Sequence, residues 1–176
     1  MAAMLVSGLV ANAQFIITPQ VGVTMATITD DSDAKSKFGL VAGANIEYPL
    51  SDVLSVSGGL LYSMQGCKYE YNGKSFNNDG DYLNIPLLAQ YRVTDAIKVK
   101  AGIQPGILMS AKQDGKDYKD ECNTLDWSIP LGISYDISDF VIDLRYNLGL
   151  SKINKEGEKS RKNSVFMLTI GYNIPF

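Results

Sequence analysis

The sequence contains no histidine. That absence removes the usual neutral-pH general base, and with it Ser-His and Cys-His nucleophilic pairs and His-ligated zinc. Basic surplus is lacking as well. The 16 Lys and Arg stand against 19 Asp and Glu, a net charge of −3, which leaves nothing to neutralise nucleic-acid phosphates. No stretch approaches twenty uninterrupted apolar residues, so any contact with a membrane is made by something other than a spanning helix. Cysteine is scarce, at two residues, and there is a single tryptophan.

What is present is a 176-residue chain, 45% hydrophobic, with 16 Gly, 10 Tyr and 6 Phe. That length suits one domain with a sizeable core. Residues 1–13, MAAMLVSGLVANA, are uncharged, small and apolar, and end in the A-x-A pattern Ala11-Asn12-Ala13. They read as a residual signal peptide that lacks its basic first region, followed by a domain over 14–176.

From there on the dominant period is two. In Lys37 to Tyr48 the even positions are Phe38, Leu40, Ala42, Ala44, Ile46 and Tyr48, whereas the odd ones include Lys37, Gly39, Gly43, Asn45 and Glu47. Such alternation marks a strand whose two faces meet different surroundings. The pattern recurs from Leu54, Leu83, Val99, Leu125, Phe140 and Phe166, and more weakly through Val21, Val23 and Met25, which makes eight strands. No helical segment competes.

The connections alternate too. Residues 49–52, 94–96 and 136–139 read as short turns, and 29–36, 66–81, 111–124 and 152–163 as long polar loops. Short turns at one end and long loops at the other describe an all-β, eight-stranded antiparallel up-and-down barrel. The outward face decides its class. A soluble lipocalin-like barrel hides its apolar face inside, and a transmembrane barrel reverses the arrangement. Here the aromatics of the apolar face gather near strand ends, with Tyr48, Tyr91, Tyr135, Phe140 and Phe176 towards the turns and Phe38, Trp127 and Phe166 towards the loops. Two interfacial girdles favour the transmembrane form, as do apolar faces matching tilted strands of roughly ten residues.

The segment from Tyr82 to Tyr91, YLNIPLLAQY, resembles a strand of the PorT-like outer-membrane β-barrel family of Bacteroidetes. So do Ala101 to Gly106 (AGIQPG), Asp143 to Ser151 (DLRYNLGLS) and the closing Gly171 to Phe176 (GYNIPF). The resemblance spans nearly the whole of 14–176, and it rests on the order of the pieces rather than on any one of them. It implies a cell-outer-membrane location in a Gram-negative bacterium, with the termini periplasmic. It also implies a terminal aromatic, Phe176, similar to the signal that barrel-insertion machinery reads. The family takes its name from a component needed for protein secretion, a role that a shared fold does not transfer.

Two constellations bear on chemistry. Cys67 and Cys122 both fall at the loop end. In an oxidising compartment they could close a disulfide between two loops, or stand as separate thiols too far apart to bridge. Glu47, Arg92, Lys98, Lys100, Asp126, Asp143 and Arg145 lie on the polar face well within strands, and so point into the lumen. Counted from the turn end, Glu47, Arg92, Lys98, Lys100 and Asp143 are low, Arg145 is near the middle and Asp126 is near the top. The lumen of eight strands is narrow, and unpaired charges there are costly, so these residues are expected to form a salt-bridge network that plugs the barrel rather than a selectivity ring. The acidic loop residues Asp30, Asp31, Asp33, Asp114, Asp117, Asp120 and Glu121 read as solvated, and Asp79-Gly80-Asp81 is not an EF-hand loop. No cofactor or metal is expected. The basic stretch Lys152, Lys155, Lys159, Arg161 and Lys162 could pair with lipopolysaccharide phosphates.

The expected protein is therefore a non-enzymatic outer-membrane barrel with a structural, adhesive or assembly role carried by its loops. Its expected partners are outer-membrane lipid, lipopolysaccharide and, during biogenesis, the insertion machinery, and the loop partner is open. The alternatives are a PorT-like secretion component and a soluble periplasmic barrel that binds a lipid inside. Lipid A deacylases and acyltransferases of similar size depend on a catalytic histidine that this chain lacks.

Overall fold

Alternating apolar and polar residues build eight long antiparallel strands. They are β1 (Ile16–Thr29), β2 (Ala34–Pro49), β3 (Leu54–Tyr71), β4 (Lys74–Asn84, continued by Leu87–Arg92), β5 (Ile97–Gln113), β6 (Leu125–Ile137), β7 (Phe140–Gly149) and β8 (Lys162–Tyr172). The computed structural model describes residues 15–29, 34–71, 74–113, 116–117, 123–151 and 162–176. Each strand pairs with its neighbours in sequence, and β8 returns to β1 through ten consecutive register pairs from Gln20↔Gly171 to Thr29↔Lys162. This last ladder closes the barrel.

The turn end is tightly made. Ser51 Oγ accepts from Leu54 N at 3.0 Å, and Thr94 Oγ1 accepts from Ile97 N at 3.0 Å, so each hydroxyl caps its own reversal. Between β6 and β7 the turn contains Ser138 at φ 54°, a left-handed conformation that a side chain disfavours. The chain ends meet at this same end. Phe176 N donates to Phe15 O at 2.9 Å, and the two rings stack with centroids 5.6 Å apart.

At the other end the hairpins run further than the alternation indicates. β3 continues to Tyr71 and β4 begins at Lys74, so most of 66–81, read above as a loop, is a paired ladder. Likewise β5 reaches Gln113 and pairs with the short segment Lys116–Asp117. Backbone pairing needs no apolar side chains, so the ladder carries on where the alternation has stopped.

The apolar face points outward throughout. Phe38 is 74% exposed, and Leu40, Leu60, Ile103, Leu131, Leu144 and Leu168 are all exposed on the same outer surface. Tyr91, Tyr135, Phe140 and Phe176 ring the turn end, with Phe38, Trp127 and Phe166 towards the other. A surface of this kind is stable in lipid and not in water. It overturns the soluble lipocalin-like alternative, which required these side chains inside. No helix among the described residues is long and apolar enough to cross a membrane, and the barrel crosses with strands.

Two bulges interrupt the regular ladders. The β2–β3 register shifts between Ser36 and Val41, and the β4–β5 register shifts between Asp81 and Tyr82, where Met109 is the extra residue. The second bulge turns Ala111 inward beside Leu108 and Tyr82, an apolar cluster that strict alternation through Ser110 does not anticipate.

Candidate functional site

The lumen is the only interior of the barrel, and its wall carries charge because every second residue of every strand must face it. In β7 the inward series is Val141, Asp143, Arg145, Asn147 and Gly149. Asp143 is 2% exposed and Arg145 is 1% exposed. Lys100 Nζ lies 2.5 Å from Asp143 Oδ2, and Arg145 Nη2 lies 3.3 Å from Asp143 Oδ1, so one carboxylate holds two cations.

A second chain of charges sits closer to the turn end. Lys98 Nζ lies 3.1 Å from Glu47 Oε2 and 3.4 Å from Asp136 Oδ2. Ser55 Oγ donates to Glu47 Oε1 at 2.8 Å. Asp136 falls in the stretch that the alternation marks as a turn, yet the strand runs on to Ile137. Its inward position follows from Ser134 two residues before it.

Arg92 does not join these residues. It has the inward parity but is exposed at the end of β4, and it makes no ion pair among the described residues. The ladder explains this placement, because Arg92 stands directly opposite Lys98 in the β4–β5 register. Two cations facing each other across a ladder repel. Lys98 takes the two buried acids, and Arg92 goes to solvent.

At the level of Arg145, which faces Met167 in the β7–β8 register, Val41, Leu61 and Met167, each no more than 1% exposed, pack into an apolar cluster. On β3 and β8 these residues lie between the two polar regions of the strand, so the cluster divides the lumen. The lower chamber is a cavity of about 20 Å³ lined by Glu47, Lys98, Lys100, Asp136 and Asp143 among others. The upper one, of about 10 Å³, is lined by uncharged side chains and Asp126. Each is near the size of one water. Asp126 thus stands apart from both ion-pair chains, and it accepts a hydrogen bond from Asn163 Nδ2 at 3.1 Å.

The glycines of the wall let strands crowd together. Thr24 Oγ1 of β1 donates to Met64 O of β3 at 2.6 Å, reaching past β2 in the stretch where the β2–β3 ladder is interrupted. It passes over Gly39, where a Cβ would lie 2.8 Å from that hydroxyl and 2.9 Å from the Met64 carbonyl carbon. Only glycine leaves the path open.

Cys67 pairs with Ser36 and Asn78 in the ladders of β3, four residues before that strand ends. Cys122 lies outside the described residues, so the bond between the two does as well. The leader at 1–13, the acids at 30, 31, 33, 114, 120 and 121, and the basic residues at 152, 155, 159 and 161 also lie outside them. Asp79 pairs with Lys37 across β3 at the loop end.

A profile described as the outer membrane protein beta-barrel domain matches residues 11–155. The chain belongs to that family. No curated protein matches it by sequence. Several solved structures have a similar fold. Neisserial surface protein A has a TM-score of 0.62 at 15% identity, over 93% of this chain and 99% of that one. Ail, the attachment invasion locus protein of Yersinia pestis, solved with the heparin analogue sucrose octasulfate, has a TM-score of 0.58 at 17% identity, over 92% and 99%. OprG of Pseudomonas aeruginosa has a TM-score of 0.54 at 14% identity, over 92% and 96%. At these identities the likeness is one of fold: an eight-stranded, closed, antiparallel outer-membrane barrel.

Proposed function

We propose that this outer-membrane barrel does its work outside the wall rather than through it, as a non-enzymatic structural, adhesive or assembly component acting through its loops. The observation that carries this reading is the filled lumen. Among the described residues, two ion-pair chains and an apolar cluster occupy it, and the chambers above and below that cluster are each about one water in size. A solute-conducting role needs a continuous aqueous path, which eight strands packed with side chains do not supply. The described lumen also holds no histidine and no group of three or more metal-binding side chains among its described residues.

In this reading both termini and the three short turns are periplasmic, and the four longer connections face outward, where lipopolysaccharide phosphates can meet the basic fourth loop. Phe176, 60% exposed at the closed end, fits a residue displayed to insertion machinery before the barrel closes. The adhesive option takes its support from Ail, whose name and sulfated ligand describe attachment for that protein. The resemblance of the Tyr82–Tyr91 and Gly171–Phe176 segments to PorT-like barrels supports the second option, a secretion component in a Bacteroidetes host.

Protease treatment of intact cells tests the orientation. Cleavage without lysis, into fragments that end in the long connections, is the expected result, and protection until lysis would place those connections in the periplasm. A gene deletion separates the roles: loss of surface attachment with export intact supports adhesion, and blocked export supports the secretion component.

A further inference from the structure

In the turn-end half of the lumen the charges balance, with Lys98, Lys100 and Arg145 against Glu47, Asp136 and Asp143. The loop-end chamber has no such balance. Asp126 is the one charged side chain lining it, and it makes no ion pair among the described residues. Asn163 engages Oδ2, and Oδ1 is left buried without a donor.

The neutral side chains around it are turned the same way. Gln104 Nε2 donates to Ser128 Oγ at 3.3 Å, which leaves Gln104 Oε1 as its unpartnered end. Gln65 and Asn84 both direct their amide nitrogens to Ser63 Oγ, at 2.7 and 2.8 Å. Asn147 has no hydrogen bond at either end of its amide. Gln104 and Asn147 are each 3% exposed. Among the residues that line it, the chamber therefore gathers three buried acceptor oxygens that lack donors (Asp126 Oδ1, Gln104 Oε1 and Asn147 Oδ1) against one unengaged donor, Asn147 Nδ2; the guanidinium nitrogens of Arg145, also without hydrogen bonds, lie outside that lining.

Buried polar groups are nearly always satisfied, and a buried charge is retained only when it is matched. A proton on Asp126 would serve one acceptor, and a water would bring donors without charge. A cation answers the charge and the acceptor surplus together. We propose that this chamber is a binding site for one small monovalent cation of sodium's size, held by Asp126 Oδ1, Gln104 Oε1 and Asn147 Oδ1. A single carboxylate matches a single positive charge, whereas calcium takes six to eight oxygens and usually several carboxylates. The cavity of about 10 Å³ admits one water-sized occupant.

The test uses the full chain, refolded separately in sodium chloride, caesium chloride and choline chloride at equal ionic strength and one neutral pH. Refolding in each salt removes any barrier to access. The readout is the temperature at which the unboiled, fast-migrating band is lost. The midpoint is expected to lie several degrees higher in sodium than in choline, with caesium close to choline, and to rise with the logarithm of sodium concentration. Asp126→Asn is expected to abolish the difference. If that variant does not fold, Asn147→Ala, which removes one neutral ligand, is expected to shift the sodium dependence to higher concentration. Equal wild-type midpoints in the three salts would overturn the proposal. So would a midpoint indifferent to sodium that rises on acidification, since the site would then hold a proton.

Discussion

Asp143 holds two cations and Lys100 holds one anion, and this asymmetry sets the outcome of a paired substitution. Asp143→Asn keeps the side chain's shape and removes its charge. It leaves Lys100 and Arg145, with side chains 9% and 1% exposed, without their shared counterion. Breaking one buried pair costs about 3–5 kcal/mol, so that range is the least expected here. Lys100→Met removes one of the two cations, and Asp143 keeps its contact to Arg145 at 3.3 Å. The loss is then of the order of an unsatisfied buried acceptor, about 1–3 kcal/mol. The two variants should differ by roughly 2 kcal/mol, the difference between those ranges. Trp127, the single tryptophan, is 41% exposed on the outer surface and moves from lipid to water on unfolding. Its emission during urea titration in lipid vesicles reports the equilibrium directly. If Lys100→Met proved as damaging as Asp143→Asn, the shared-carboxylate arrangement would be wrong. If both were silent, the lumen would be hydrated well enough to screen its charges.

Other perturbations probe the wall itself. Leu144 lies on the outer surface between Ile133 and Leu168 in register, all three exposed. Leu144→Arg is expected to cost about 2–4 kcal/mol in vesicle-based urea unfolding, and a neutral result would place this position away from the bilayer midplane. Ser138 pays for its left-handed φ, so Ser138→Gly should raise stability by roughly 1 kcal/mol, with the same titration as the check. Gly39→Val puts atoms where Thr24 Oγ1 passes to Met64 O. A destabilisation of about 1–3 kcal/mol or outright failure to refold is expected, visible as loss of the fast-migrating band, and a fully heat-modifiable variant would show that this crossing is dispensable.

Much of the barrel is legible in a single period. Phe38 to Tyr48 and Phe140 to Leu150 alternate so regularly that both faces can be assigned residue by residue, and the outward set is exposed except for the half-buried Ala44, Tyr48 and Tyr146. The signal stops where its cause stops. The backbone ladder from Gln65↔Gly80 to Tyr71↔Lys74 needs no apolar face to pair, and it leaves no alternation to read. Bulges are hidden for a different reason. Met109 is an extra residue only relative to Asp81 and Tyr82 on another strand, and the apolar cluster of Tyr82, Leu108 and Ala111 depends on that pairing. The dividing cluster was half visible: Val41 is an apolar residue on an otherwise small and polar face, but nothing in β2 alone ties it to Leu61 and Met167.

The charge network shows most sharply what periodicity conveys and what it omits. Arg92 and Asp136 both have inward parity near the turn end, yet one is in solvent and the other is bound to Lys98 at 3.4 Å. Parity gives the direction of a side chain. Partners are given by register, which depends on turn lengths and bulges across several strands. In the β4–β5 ladder Arg92 faces Lys98, and in the β5–β6 ladder Lys98 faces Ser134, two residues from Asp136. Lys98 therefore has a cation on one side and an acid within reach on the other, and Glu47 arrives from across the lumen. Two carboxylates satisfy one ammonium, and the guanidinium at the rim makes no ion pair among the described residues. On this argument Arg92→Glu should be tolerated: it would set an opposite charge against Lys98 at an exposed position, where such pairs contribute about 0–1 kcal/mol. Lys98→Glu would gather three carboxylates in one buried place, and should prevent folding.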